Sequence, residues 1–227
     1  MSRIILTDIE GTIGDTAFVK SVLFPYARRA LPAFVQANAD EPEVARELQQ
    51  TAALAGLDDS DQAAIVDTLL DWIDQDRKAT PLKNLQGMIW HEGYRQSHFQ
   101  AHLYVDAYDW LQQRHREGVP LFVYSSGSVQ AQKLYFAHTE FGDIEGWFSG
   151  FFDTATGPKQ AAGSYRKIAG SIDRSPEDLV FFSDIEAELD AAAEAGLVAI
   201  QIVRPGTESS GRYRSYPDFT AIELQRL

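Results

Sequence analysis

The chain has 227 residues, with 33 acidic side chains against 20 basic ones, a formal net charge of −13 and no cysteine. The lack of cysteine excludes disulfide scaffolds, thiolate zinc sites and cysteine nucleophiles, and the acidity argues against a protein that grips a nucleic-acid backbone, whose affinity rests on clustered lysine and arginine. Hydrophobic residues at 44% and charged residues at 23% suit a globular chain with a sizeable core and exclude wholesale disorder.

The N-terminal MSRIILTDIEG has three consecutive apolar residues, Ile4 to Leu6, where a secretory signal needs roughly 7–15. No stretch approaches the ~20 apolar residues of a membrane span. A soluble, cytoplasmic protein without membrane partners is expected. Ile4–Leu6 reads as a buried strand, halted by Asp8 and Gly11. From Phe18 to about His102 two-residue alternation is almost absent. Phe18, Val22, Leu23, Tyr26 and Ala30 recur at helical spacing, as do Val44, Leu48 and Leu54, then Ile65, Leu69, Leu70 and Ile73. Pro25, Pro32, Pro42 and Pro81 mark bends or helix starts.

Beyond that stretch strands and helices alternate. Asp106–Arg116 reads as helix, Val119–Ser126 as strand, Val129–His138 as helix, Gly150–Thr154 as strand and Gln160–Ala169 as helix. Leu179–Asp184 follows as strand, Glu186–Ala195 as a helix ended by Gly196, and Leu197–Val203 as strand. The Gly-, Ser- and Arg-rich tail reads as a polar loop with a short last element. Apolar strands alternating with helices predict an α/β fold, a doubly wound, mainly parallel, Rossmann-like sheet covered on both faces. The expected division is a core of residues 1–16 and 103–227, with an all-helical cap of residues 17–102 inserted after the first strand.

In such sheets ligands sit at the C-terminal strand ends, and four of these ends carry chemistry. The first ends in Leu6–Thr12, where Asp8 and Glu10 stand two apart and Gly11 permits a turn. The second ends in Tyr124–Ser128, whose hydroxyls and helix-start amides suit a phosphate, though Ser125 or Ser128 could equally serve as a helix cap. Lys159 follows a Gly-Pro turn in Thr156–Lys159. The strand Leu179–Asp184 ends in Phe181–Glu188, where Asp184 emerges with Glu186 and Glu188 behind it. Carboxylates converging from separate strands repel one another unless a cation lies between them, and an all-oxygen donor set suits magnesium. Magnesium, lysine and serine hydroxyls around one point describe a phosphoryl-transfer site.

The order and spacing of these residues resemble the haloacid dehalogenase superfamily of phosphatases. Most of that superfamily has Asp where this chain has Glu10. The segments DIEGT with that glutamate, Phe18–Arg28, Leu85–Tyr94, Val123–Phe136 and Phe148–Ala169 closely resemble the enolase-phosphatases of methionine salvage, and the likeness runs from about Ile4 to Val203. Ile13-Gly14-Asp15 departs from the Thr-rich segment expected there.

The resemblance implies conversion of 2,3-diketo-5-methylthiopentyl-1-phosphate to an enol phosphate, then hydrolysis to the acireductone 1,2-dihydroxy-3-keto-5-methylthiopentene and phosphate. It implies Asp8 as nucleophile, Glu10 as general acid and then base with a raised pKa, and Lys159 as the charge-balancing lysine. Ser125 or Ser126 would be the phosphate hydroxyl, with Gly127 beside it. One magnesium ion per chain would be held by Asp8, Asp184 and the backbone carbonyl of Glu10, with Glu188 in the position of the last acid. Glu10 and a cap residue are both candidates for the enolisation base. Lys20 is a candidate substrate contact at the cap entrance, and Phe18, Phe24, Tyr26, Trp90 and Tyr94 either line a pocket for the methylthio tail or pack between helices. His98 and His102 read as a solvated helix face rather than a metal site. The expected partner is a small phosphorylated diketone, and the resemblance suggests a monomer. Two other readings stay open: a magnesium-dependent phosphatase of the same superfamily with another small phosphate ester, and a phospho-accepting receiver domain, which would be about half this length. Asp40–Lys78 carries 11 acids against three basic residues, so the excess acidity is expected on the solvent face of the helical insert.

Overall fold

The computed structural model describes residues 3–224. Six strands, β1 (Ile4–Thr7), β2 (Leu121–Tyr124), β3 (Gly150–Phe152), β4 (Leu179–Ser183), β5 (Val198–Ile202) and β6 (Arg214–Tyr216), form one sheet in the order β3-β2-β1-β4-β5-β6. Every neighbouring pair is parallel. The helices are α1 (Thr16–Phe18), α2 (Phe24–Asn38), α3 (Pro42–Ala55), α4 (Gln62–Asp74), α5 (Thr80–Arg95), α6 (Val105–Arg116), α7 (Val129–Ala137), α8 (Ala162–Ser171) and α9 (Glu186–Ala195). A five-residue π-helix, Val19–Leu23, joins α1 to α2. Among the described residues no helix is long and apolar enough to cross a membrane.

Two compact units divide the chain: the described residues up to Thr16 together with those from Gln100 onward, and Ala17–Phe99. In the first unit, strand alternation sends side chains to two layers. Ile4, Leu6, Phe122, Tyr124 and Phe181 pack with Tyr165 and Ile168 of α8 and Leu189 and Ala192 of α9. Phe182 points the other way, edge-on to Trp110 of α6 and beside Phe219. Both faces of β1, β2 and β4 are therefore buried, which is why these strands read as unbroken apolar runs. The tail that reads as polar loop contributes β6, an exposed edge strand whose Ser215 registers with Gln201; backbone pairing holds it, and its side chains carry no apolar signal.

The second unit is helical with its own core. Ala27, Leu31 and Val35 of α2, Val44, Leu48 and Ala52 of α3, Ile65, Leu69 and Trp72 of α4, and Leu82, Leu85 and Ile89 of α5 meet in one cluster, each set at the three- or four-residue spacing of a helix face. Pro25, Pro42 and Pro81 lie in first turns, whereas Pro32 lies inside α2 and removes one of its backbone hydrogen bonds without ending it. Ten of the 11 acids between Asp40 and Lys78 are exposed; Glu47 is the exception, 1% exposed. One of its oxygens accepts from Arg46, and Oε2 has no partner among the described residues.

The aromatic residues of this unit pack on one another. Phe24 lies edge-on to Trp90, whose indole N–H donates to the Leu23 carbonyl. Phe99 is edge-on to Phe18, Tyr26 and Tyr94. Neither His98 nor His102 lies on a helix, contrary to the expected solvated helix face. His98 follows α5 and bonds the Tyr26 hydroxyl at 2.8 Å, and His102 precedes α6 and accepts from the Asp15 amide at 3.2 Å.

Gly93 makes a testable point. A Cβ there would lie 2.6 Å from Phe99 Cε1 and 2.9 Å from Tyr26 Cε1. Helix propensity favours Gly93→Ala by about 1 kcal/mol, but two interlocked rings would have to move. The clash should dominate, giving a net loss of about 1–2 kcal/mol in urea unfolding; a stabilised variant would refute this packing.

Candidate active site

The segments that follow β1, β2, β3 and β4 bring together five residues singled out by sequence: Asp8 and Glu10, Ser125, Lys159 and Asp184. Asp8 follows β1 directly and is held in place by its amide, which donates to the Phe182 carbonyl at 2.9 Å. Its carboxylate Oδ1 lies 2.5 Å from Lys159 Nζ, and Lys159 also reaches Glu188 Oε2 at 2.7 Å. All three are buried. Burial alone would push Lys159 down, but Asp8 and Glu188 together raise it above the usual lysine value, so it stays an ammonium.

The turn that presents Lys159 is pinned at three successive carbonyls. Tyr124 donates to Gly157 O at 2.9 Å, Ser164 to Pro158 O at 2.8 Å and Tyr165 to Lys159 O at 2.8 Å. Three hydroxyls from β2 and α8 thus fix the lysine's backbone. A buried ammonium on a long side chain needs that restraint, since its free rotamer entropy would otherwise oppose a single pose.

After Asp8 the chain turns sharply. The Ile9 carbonyl accepts from the amides of Thr12, Ile13 and Gly14, and the Gly11 amide donates to Gly14 O at 2.8 Å. Gly11 has φ +79°, and a Cβ on it would strike the Asp184 carboxylate, with Cγ only 2.7 Å away. The departure at Ile13-Gly14-Asp15 is part of this buried turn: Ile13 O accepts from Tyr104 N, and a Cβ at Gly14 would collide with the Tyr135 hydroxyl.

The turn aims Glu10 at β2. Ser125 Oγ donates to Glu10 Oε2 at 3.3 Å and accepts from the Gly127 amide at 3.2 Å. Burial, then the Asp8 carboxylate, raise the Glu10 pKa, the direction expected of a general acid. Of the two candidate hydroxyls, Ser125 is buried against Glu10, whereas Ser126 is exposed.

Asp184 stands just past β4. Its amide donates to Thr12 Oγ1 at 3.1 Å. Burial and then Asp8 push its carboxyl up to about 6. Glu188, which accepts from Ser183 Oγ at 2.9 Å, is pushed up to about 7 by the same two causes in the same order. Glu186 points elsewhere, to Arg212 at 2.8 Å. Lys20 lies exposed on the π-helix of the helical unit.

Residues that sequence reading missed support this arrangement. Arg204 is buried, forks onto Asp106 with two 2.9 Å bonds, donates to the Thr12 carbonyl at 2.9 Å and lies 3.9 Å from the Tyr104 ring centre. It therefore anchors the turn whose Thr12 side chain holds Asp184. The pairing spans 192 residues, and no local pattern announces it. Among the described residues no group of three or more His, Asp or Glu side chains is gathered as a ready-made metal cage.

Comparisons with known proteins agree with the geometry. The sequence matches the haloacid dehalogenase-like hydrolases over residues 3–196. It is 50% identical over 221 residues to Enolase-phosphatase E1 of Azotobacter vinelandii, covering 97% of each chain. It is 45% identical over 224 residues to Enolase-phosphatase E1 of Aquifex aeolicus, covering 99% of this chain and all of the other. The crystal structure of the UTR4 protein of Saccharomyces cerevisiae superposes with a TM-score of 0.84 at 32% identity, over 98% of this chain and 100% of that one. CbbY from Rhodobacter sphaeroides, with a TM-score of 0.60 at 17% identity over 97% and 96% of the chains, shares the fold. An all-parallel sheet with these acids at its strand ends, and near-full-length identity of this order, lead to one conclusion: the chain belongs to the haloacid dehalogenase-like hydrolases and, within them, to the enolase-phosphatase family.

Proposed function

We propose that the protein converts 2,3-diketo-5-methylthiopentyl-1-phosphate to the acireductone and inorganic phosphate, as a cytoplasmic, monomeric enzyme of methionine salvage whose helical unit acts as a cap. The observation that carries the reading is the meeting of Asp8, Glu10, Ser125, Lys159 and Asp184 after four adjacent strands, in a chain that matches the enolase-phosphatases almost end to end. A receiver domain has neither this length nor an acceptor Asp followed by a helical unit.

The donor set fits a magnesium ion. Burial and then Asp8 raise the Asp184 pKa despite Lys159 nearby, so a further cation is favoured beside the two carboxylates, and both are hard oxygen donors. The family resemblance adds the Glu10 backbone carbonyl as a third donor, while the Glu10 side chain accepts from Ser125. Bound there, magnesium would neutralise charge on the phosphoryl oxygens.

The chain's own groups supply the rest. Asp8 attacks phosphorus, forming an O–P bond as the bond to the leaving oxygen breaks. Lys159 and the Ser125 hydroxyl balance the phosphoryl charge. Glu10, whose pKa burial and then Asp8 raise, gives its proton to the leaving oxygen. It then takes a proton from the water that attacks the aspartyl-phosphate, which frees phosphate and restores Asp8.

Three outcomes are expected. Asp8→Asn should reduce phosphate release by at least ~10³-fold, given that nucleophile and charge balance are both lost; substantial turnover would sink the nucleophile assignment. With the diketo-phosphate and magnesium, enol absorbance should appear before or with phosphate; phosphate without a preceding enol would reduce the protein to a phosphatase of another ester. The third concerns pH. Asp184 and Glu188 hold protons in the folded protein that the unfolded chain has lost. Their stabilising contribution is full below the ordinary carboxylate pKa and is lost as pH rises through about 6 and about 7. In chelator-treated protein Tm should therefore fall across that window, and magnesium should suppress the fall. A metal-independent rise in Tm would contradict the assignment.

A further inference from the structure

Gln201 interrupts an apolar strand. It stands between Ile200 and Ile202 in β5 and is 2% exposed, at a position where an apolar side chain would satisfy the packing alone. Its amide is matched at both ends. Nε2 donates to the Asp184 carbonyl at 3.3 Å and to the Glu208 carbonyl at 3.2 Å, and Oε1 accepts from the Ser210 amide at 3.0 Å. Two carbonyls on one side and an N–H on the other permit only this orientation of the amide.

One of these partners belongs to the proposed metal ligand. β4 and β5 run in parallel register with Ser183 beside Gln201, so the glutamine reaches the first residue past the end of β4. The backbone of Asp184 is then held on both sides of its Cα. Its N–H donates to Thr12 Oγ1 at 3.1 Å, in the turn after β1, and its carbonyl accepts from Gln201. The peptide that carries this carbonyl is fastened at its other end as well, where the Ile185 N–H donates to Ser183 Oγ at 3.1 Å. Thr12, Ser183 and Gln201 are all buried, whereas the Ile185 side chain is 42% exposed and offers less packing to hold that peptide. Polar bonds therefore set the backbone angles at Asp184, and with them the direction of its carboxylate.

We propose that Gln201 is a positioning residue for the metal site, fixing the Asp184 carboxylate in the geometry that a small octahedral cation requires. The inference rests on the magnesium assignment above and adds to it a residue of β5 that acts through the Asp184 backbone and touches no reacting atom. Magnesium demands near-ideal octahedral ligation at short distances, whereas calcium accepts longer and less regular ligation. Loosening one ligand therefore costs magnesium more than calcium. A general loss of stability has no means of separating the two ions, and neither has the loss of the bonds to Glu208 and Ser210.

The test reads cation affinity directly. Magnesium and calcium are each titrated calorimetrically into the chelator-treated protein and its variants, with Tm recorded for each. Gln201→Met keeps the length of the side chain and removes both ends of the amide. It should weaken magnesium about tenfold or more, the usual cost of losing a partner behind a metal ligand, and calcium by less than about threefold. Excess magnesium should restore most of its kcat, whatever its effect on Tm. Wild-type magnesium affinity in the folded variant, or an equal loss of both cations, overturns the positioning role. Should Gln201→Met not fold, Gln201→Asn, one methylene too short to reach the Asp184 carbonyl, carries the same expectation and the same refutation. A wild-type protein that binds no magnesium overturns the metal assignment, and this inference with it; a wild-type protein that binds magnesium beside an unaltered Gln201→Met overturns this inference alone.

Discussion

One buried ammonium organises the catalytic unit. Lys159 sits between Asp8 and Glu188 at 2.5 and 2.7 Å, and Glu10 and Asp184 crowd the same space. Four carboxyl groups share one lysine, and charge in a water-poor site is costly unless compensated. The imbalance appears as raised pKa values at Glu10, Asp184 and Glu188. Two remedies exist, a proton or a metal cation, and the proposed chemistry uses both: a proton on Glu10 to give away, and a cation between Asp8 and Asp184. The same electrostatic debt explains why the lysine's backbone is fastened at three carbonyls. A lysine free to swing out would leave two buried carboxylates facing each other.

The net charge of the chain looks unsuited to an anionic substrate until its distribution is considered. Ten of 11 acids between Asp40 and Lys78 face solvent in the helical unit. At the strand ends the local charge is set instead by Lys159 and the carboxylates around it. Glu47 shows that the rule for that stretch is not universal, since it is buried with one oxygen unmatched among the described residues.

Much of the catalytic unit was legible in the chain because its signals are local. Strands buried on both faces announce themselves as apolar runs, and the helix Glu186–Ala195 ends where Gly196, at φ +100°, takes the left-handed turn. Asp8, Glu10, Lys159 and Asp184 stand out because each follows such a run or a Gly-Pro turn. What stayed hidden depends on partners far along the chain. Arg204 reads as one more charged residue in a polar tail, yet it ties Asp106 to the turn at Thr12. β6 has no apolar pattern, because an edge strand paired through its backbone needs none. Pro32 reads as a bend and lies within α2, where packing of Ala27, Leu31 and Val35 outweighs one missing hydrogen bond.

The insertion point of the helical unit also bears on how the chain reaches its fold. β1 pairs with β2 and β4, Ile5 with Leu121 on one side and Val180 on the other, so both partners are synthesised long after it. The helical unit between them closes a core of its own among α2, α3, α4 and α5. Local contacts form quickly and long-range parallel pairing slowly. The first strand, which carries the proposed nucleophile at its end, must therefore wait as an unpaired apolar segment while the insert is already folding. The acidic residues flanking it, Asp8 and Glu10, then have a second use during synthesis: charge beside an exposed strand discourages its pairing with other chains.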